Sequence, residues 1–379
     1  MTNRERLLAI MAGESPDRIP WIPRLQIWYN AHMKQGTLPA QFEGMSLRQV
    51  ERELGMGTAA RDGRIFTLQQ RGDIEVTRCE EGPTVLTTYR TPAGEVTSRY
   101  RSSEDLDRVG IGALEVEHMI KGPEDFAAVE YMVTNQFYEP DYEAYRVYDE
   151  EIGDEGYPMT QVGDVPFHHF LQKLAGYERG YYLLADYPEK VEHLIGLMEE
   201  LERERQWPVI ADSPARMILH GVHFDSSMTP PQYFSRYITP YYRDFSALLR
   251  DRGKTLTTHA DSDCRLILGH IAEAGFGMAE TFTTHPQVSC TLEEARQAWG
   301  RQVIIWGGVA SVLLDESTYS EAQFEQYMRQ IFRTVAPGDA FILSVSDMVM
   351  PGMKVDRLKR ITQMVEEWGD YPIDPARVV

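Results

Sequence analysis

The sequence predicts an α/β fold of repeated strand–helix units, the layout of a (β/α)8 TIM barrel with an antiparallel β insertion near its N-terminal third. Three observations support this. From residue 216 onward, short apolar runs alternate with amphipathic helical stretches at roughly 30-residue spacing, as parallel βα architecture requires. Polar residues gather where those apolar runs end, where a barrel carries its active site. A chain of 379 residues suits one barrel with an insertion. A doubly wound sheet has the same local rhythm, and the spacing alone leaves it open.

The elements follow in order. Residues 2–12 read as a helix capped by Thr2 or Asn3 and stopped at Gly13. An extended run at 18–23 leads into the aromatic group Trp28, Tyr29 and His32. Between 59 and 101 the runs are β-branched, aromatic and broken by Gly and Pro. The gaps there are too short for a parallel crossover, so the segment is expected as an antiparallel insertion within a single domain spanning 1–379. Residues 141–154 read as an acidic helix, and 166–205 as helix-rich, with Pro188 in a first turn. The regular units then have strands at 217–222, 254–259, 278–282, 303–306 and 340–345, each followed by a helix.

Composition narrows the function. The formal net charge of −20 disfavours nucleic acid and anionic membranes as partners. Hydrophobic residues at 42% and charged residues at 25% are ordinary for a soluble protein, and no run of apolar residues is long enough to span a bilayer. Cys79, Cys264 and Cys290 form no close pair, which together with the lack of a signal segment points to a reducing, cytoplasmic setting.

The strand ends present His223 and Asp225, then His259, Asp261 and Asp263, then Glu280 and His285, and finally Ser346 and Asp347. One such position is unremarkable, whereas carboxylate or imidazole at four of five ends suggests a shared site. Each also has a structural reading. Asp263 or Asp261 can cap the following helix, and Asp347 can be a turn residue. Cys264 and Cys290 read as small buried groups. Glu280 differs, because a carboxylate in an apolar strand needs a partner or a metal.

The opening Arg4-Glu5-Arg6-Leu7-Leu8-Ala9-Ile10-Met11-Ala12-Gly13, followed by Pro16-Asp17-Arg18-Ile19-Pro20, resembles the start of the uroporphyrinogen decarboxylase superfamily. The resemblance continues through Met228-Thr229-Pro230-Pro231-Gln232-Tyr233-Phe234, His259-Ala260-Asp261 and Gly307-Gly308-Val309. It implies a TIM barrel, and it draws in the cobalamin-dependent methyltransferases of the same superfamily. The decarboxylase itself is a poor match. Its arginine-rich substrate loop is replaced by Arg24-Leu25-Gln26-Ile27-Trp28-Tyr29-Asn30, and its late histidine motif by Ser344-Val345-Ser346-Asp347.

The methyltransferase branch departs in one respect. Thiol-methylating members hold zinc through His-x-Cys and a distant cysteine, whereas this chain has His259-x-Asp261 and Ser346 or Asp347. The resemblance therefore implies methyl transfer from a small O- or N-methylated donor, an aryl methyl ether favoured, to the cobalt of a corrinoid on a partner protein. His259, Asp261 and Glu280 are the expected catalytic residues. Trp28, Tyr29, Asn30, His223 and Asp225 are expected to line the donor, and His259, Asp261, Glu280 and Asp347 to hold any divalent metal such as zinc. No Asp-x-His-x-x-Gly cobalamin signature occurs, so the corrinoid is expected from the partner. A decarboxylase or lyase on a small acid, or a non-catalytic binding relative, remains the alternative, and the oligomeric state is open.

Overall fold

The computed structural model describes residues 1–379 and contains twelve strands, numbered in chain order. They are β1 (Phe66–Gln70), β2 (Glu75–Glu81), β3 (Thr84–Thr91), β4 (Gly94–Arg101), β5 (Leu114–Glu117), β6 (Gln136–Pro140), β7 (Met159–Gln161), β8 (Met217–Val222), β9 (Thr255–His259), β10 (Met278–Phe282), β11 (Ile304–Val309) and β12 (Phe341–Val345). The chain forms two compact units. One comprises Met1–Gly63, Tyr145–Val162 and Ala215–Val379, and the other Arg64–Ala144 and Gly163–Pro214. No helix is long and apolar enough to cross a membrane.

In the first unit β7 to β12 form one parallel sheet in sequential order. The five expected strand–helix units are all present, the helices including Thr239–Asp251, Leu292–Trp299, Glu321–Val335 and Val355–Trp368. β9 to β12 are almost wholly buried, which explains their near-continuous apolar character. The expected run at 18–23 lies at one edge of the sheet, where Trp21 bridges Leu343 in parallel. At the other edge Gly63 bridges Thr160, and the Gly57 amide donates to the Trp21 carbonyl at 2.9 Å.

The N-terminal helix Asn3–Met11 begins with a capping box between Thr2 and Glu5. Its Leu7 and Ile10 pack with Ile22, Met159, Met217, Met278, Ile304 and Ile342. Met159, Met217, Met278 and Ile304 are the first residues of their strands, so this cluster fills the N-terminal end of the sheet. Strand alternation puts Met278 and Glu280 on the same face, two residues apart. On β10 the face that carries core at the strand start therefore carries Glu280 two residues on.

The second unit holds the antiparallel sheets, β2-β3-β4-β5 and β1 paired with β6. This antiparallel region starts later and runs further than the 59–101 expected. Residues 59–63 belong to the first unit, where Met159 donates to the Ala60 carbonyl and Gly63 donates to Met159. The segment has no β-branched run to mark it, and only those long-range hydrogen bonds define it. The three cysteines are unpaired, Cys79 exposed and the other two buried.

Candidate active site at the strand ends

β9 ends beside the middle of β10, with His259 in register with Glu280. Both are buried, Glu280 completely and His259 to within 3%. The imidazole Nδ1 lies 3.1 Å from Glu280 Oε2 and 3.0 Å from the Glu280 carbonyl. Two acceptors at one nitrogen favour a proton on Nδ1. The Thr281 amide is also 3.2 Å from Nδ1, but it can donate there only to a ring lacking that proton. On the other side, Nε2 faces Asp347 Oδ1 at 3.5 Å and Asp261 Oδ2 at 3.6 Å. Those distances are too long for good hydrogen bonds, so Nε2 is open to a ligand.

The flanking groups are themselves held. Asp261 Oδ2 is 2.7 Å from His223 Nδ1, and the two histidine rings meet edge to face at 5.3 Å. Arg24 Nη1 donates to Asp347 Oδ1 at 3.0 Å, and Thr281 Oγ1 donates to the Asp347 carbonyl. His223 and Asp347 both have positive φ, 60° and 54°. That backbone conformation costs a non-glycine residue about 1–3 kcal/mol and is concentrated at functional sites. Here it places the two residues that flank His259. Exposure rises outward, from Glu280 through His259 to Asp261, Asp347 and the half-exposed His223.

The electrostatics follow from this packing. Burial alone would push the His259 pKa down, but Asp347 and Glu280 outweigh it and raise it to about 9. Burial would push the Glu280 carboxyl up, but Arg61 and His259 hold it down at about 2. Asp261 is likewise lowered against its burial by the two histidines. Arg61 Nη1 lies 3.4 Å from Glu280 Oε2 and answers the requirement for a partner.

The expected residues thus divide. His223, His259, Asp261, Glu280 and Asp347 converge, but not on one point, since Glu280 meets Nδ1 while Asp261 and Asp347 face Nε2. Asp225 caps the loop after β8, accepting from the Ser227, Met228 and Asp263 amides. Asp263 accepts from Arg265 and Ser289. His285 contacts Tyr327, and Ser346 donates to the Phe282 carbonyl. Trp28, Tyr29 and Asn30 lie on the helix Gln26–Gln35, hydrogen-bonded to none of the cluster. The indole donates to the Met353 carbonyl, the Tyr29 hydroxyl to that of Met45, and Asn30 is exposed. Arg24 and Arg61 escaped the sequence reading as site residues. The signal available for Arg61 was the buried charge of Glu280, which implies a cation without saying where it comes from.

Beside the cluster lies a cavity of about 550 Å³, whose wall includes Arg24, Arg48, Arg61, Glu51, Asp62 and Gln161. Its size suits a small molecule. A metal is compatible with the cluster's outer side. One ligand atom each from His223, His259 and Asp261 lie within 4.8 Å of one another, and the buried Asp261 Oδ1 has no hydrogen-bond partner. Two imidazoles and a carboxylate suit zinc or a similar divalent ion.

The uroporphyrinogen decarboxylase (URO-D) family matches residues 115–368. No curated protein matches the chain. Among solved structures, a methyltransferase from Methanosarcina mazei is similar at TM-score 0.53 and 13% identity. The match covers 97% of this chain and 99% of that one, a likeness of fold.

Proposed function

The chain belongs to the uroporphyrinogen decarboxylase family, and from that premise we propose that it is a methyltransferase acting on a small O- or N-methylated donor, with the cobalt of a partner protein's corrinoid as acceptor. In this reading the two bridged edge segments complete an eight-stranded barrel, and the cluster sits at its mouth. The observation that carries the proposal is His259, buried, charged and with Nε2 open.

Methyl transfer to cobalt(I) forms a Co–C bond and breaks the C–O or C–N bond of the donor. The electron pair of the broken bond leaves on oxygen or nitrogen and needs a proton unless the donor nitrogen is quaternary. His259 Nε2–H supplies it, and Glu280 on Nδ1 stabilises the charged ring before transfer. A group with a pKa of about 9 is protonated at neutral pH, yet close to the value of a phenol, about 10 as in Tyr. Proton delivery by a charged imidazole suits an aryl methyl ether, whose phenoxide leaving group takes up the proton. Asp261 and Asp347 orient the proton donor, and the cavity beside Arg24 and Arg61 receives the donor molecule. Its arginines are balanced by Asp62 and Glu151 in the wall and by the Asp347 and Glu280 partners of Arg24 and Arg61, which suits a substrate of low charge over one with many carboxylates.

His223, His259 and Asp261 would hold a divalent metal, which when bound would polarise the leaving oxygen as a Lewis acid. Purified protein mixed with cob(I)alamin and a panel of methoxyarenes, methylamines and methanol is expected to produce the methylcobalamin spectrum with at least one donor. No transfer from any of them would remove the methyltransferase reading. Metal analysis of the same preparation separates the two versions of the site: one zinc per chain supports the Lewis acid, and substoichiometric metal supports the proton donor.

A further inference from the structure

We infer that Arg61 is a positioning residue, anchoring Glu280 so that His259 keeps Nδ1 toward Glu280 and presents Nε2, and not a ring carbon, to the reacting groups. The inference deepens the reading of the site given above, and it stands on three features of the geometry.

The first is the completeness of Glu280 burial. Its carboxylate has no exposed surface, and Oε1 has no hydrogen-bond partner. A buried charge in that position is strongly unfavourable without a counter-charge. Besides the imidazole, the cation nearest Oε2 is Arg61 Nη1 at 3.4 Å. Nη1 itself makes no directed hydrogen bond, so the link is a charge contact.

The second is how firmly Arg61 is placed. The Ala60 carbonyl accepts from the Met159 amide, and the Gly63 amide donates to the Met159 carbonyl. Arg61 lies between those two hydrogen bonds. A Cβ at Gly63 would come within 2.7 Å of the Met159 carbonyl, so glycine permits the close approach of this segment to β7. The backbone is pinned on both sides of the guanidinium.

The third is the orientation of the imidazole. A half-turn about Cβ–Cγ would put Cδ2 in the place of Nδ1 and Cε1 in the place of Nε2, and the Glu280 contacts to Nδ1 oppose it. If Glu280 shifts, the ring loses the interaction that fixes its orientation. An outer partner of this kind characteristically supports a working histidine without touching substrate.

Arg61→Met is expected to lower kcat for methyl transfer by about 10–100-fold with little change in KM, and Arg61→Lys to recover most of it. In a Glu280→Gln background, Arg61→Met should add little further loss, because the arginine acts through Glu280. The ¹⁵N imidazole signals of His259 in the resting protein should also change in Arg61→Met. If Arg61→Met does not fold, Arg61→Gln carries the same comparisons. A raised KM with unchanged kcat would instead make Arg61 a donor-binding residue and overturn the inference. Additive losses in the double variant, or unchanged His259 signals, would overturn it equally. The ¹⁵N measurement needs no methyl donor, so it separates failure of the anchor from failure of the methyltransferase reading.

Discussion

Replacing His259 with glutamine is expected to lower methyl transfer to cob(I)alamin by about 10²–10⁴-fold, the usual loss when a positioned proton donor is removed. The methylcobalamin absorbance measures it directly. The substitution keeps a polar group against Glu280, so circular dichroism should report an unchanged fold. The effect should depend on the donor. A donor whose leaving group needs no proton, such as a tetramethylammonium salt, should lose far less than a methoxyarene. An equal loss with both donors would show that His259 positions substrate or metal and does not deliver a proton. Transfer at the wild-type rate would remove His259 from the mechanism.

Glu280→Ala should be the most destabilising single change in the cluster, by about 3–5 kcal/mol, because it leaves buried cationic groups without their counter-charge. His259 is raised to about 9 by its carboxylate neighbours, and Arg61 has Glu280 as its close acidic contact. The loss should depend on pH with a definite sign. Glu280 is held at about 2 in the folded protein against an ordinary 4.5, so its contribution is present above 4.5 and lost as pH falls toward 2. His259 is raised from 6.5 to about 9, so its contribution is complete below 6.5 and lost as pH rises through 9. The gap in urea midpoint between wild type and Glu280→Ala should therefore be widest near pH 5.5 and narrower near about pH 3 and about pH 9.5. A gap that does not vary with pH would show that the variant acts by packing alone.

Much of the first unit was legible locally. β8 to β12 and their helices announce themselves because a buried parallel strand is a short apolar run between amphipathic helices. The Thr2–Glu5 capping box marks the first helix in the same way. The segment around Arg61 was not legible. It holds its place through backbone hydrogen bonds to Met159, almost a hundred residues away, and has no periodicity of its own. The bounds of the antiparallel region were blurred for the same reason, since β1 pairs with β6 from far along the chain.

The candidate site divides along the same line. Residue type and strand-end position were enough to nominate His223, His259, Asp261, Glu280 and Asp347, because parallel strands bring their C-terminal ends together. Strand-end position also nominated Asp225, which accepts from amides of its own loop, while the resemblance nominated Trp28, Tyr29 and Asn30, whose helix makes no hydrogen bond to the cluster through them. No local rule distinguishes a carboxylate that caps a loop from one that faces an imidazole.

By itself, then, the sequence determined the parallel strand–helix order, the polar strand ends and the family resemblance, all of which are properties of neighbouring residues and their types. The tertiary structure decided which nitrogen of His259 is held and which is open, and which arginine answers the buried Glu280. It also decided that Asp261 and Asp347 meet one side of the ring while Glu280 meets the other. Those outcomes depend on distances of about 3–4 Å between groups remote in the chain, and at that range both hydrogen bonds and charge interactions depend steeply on position.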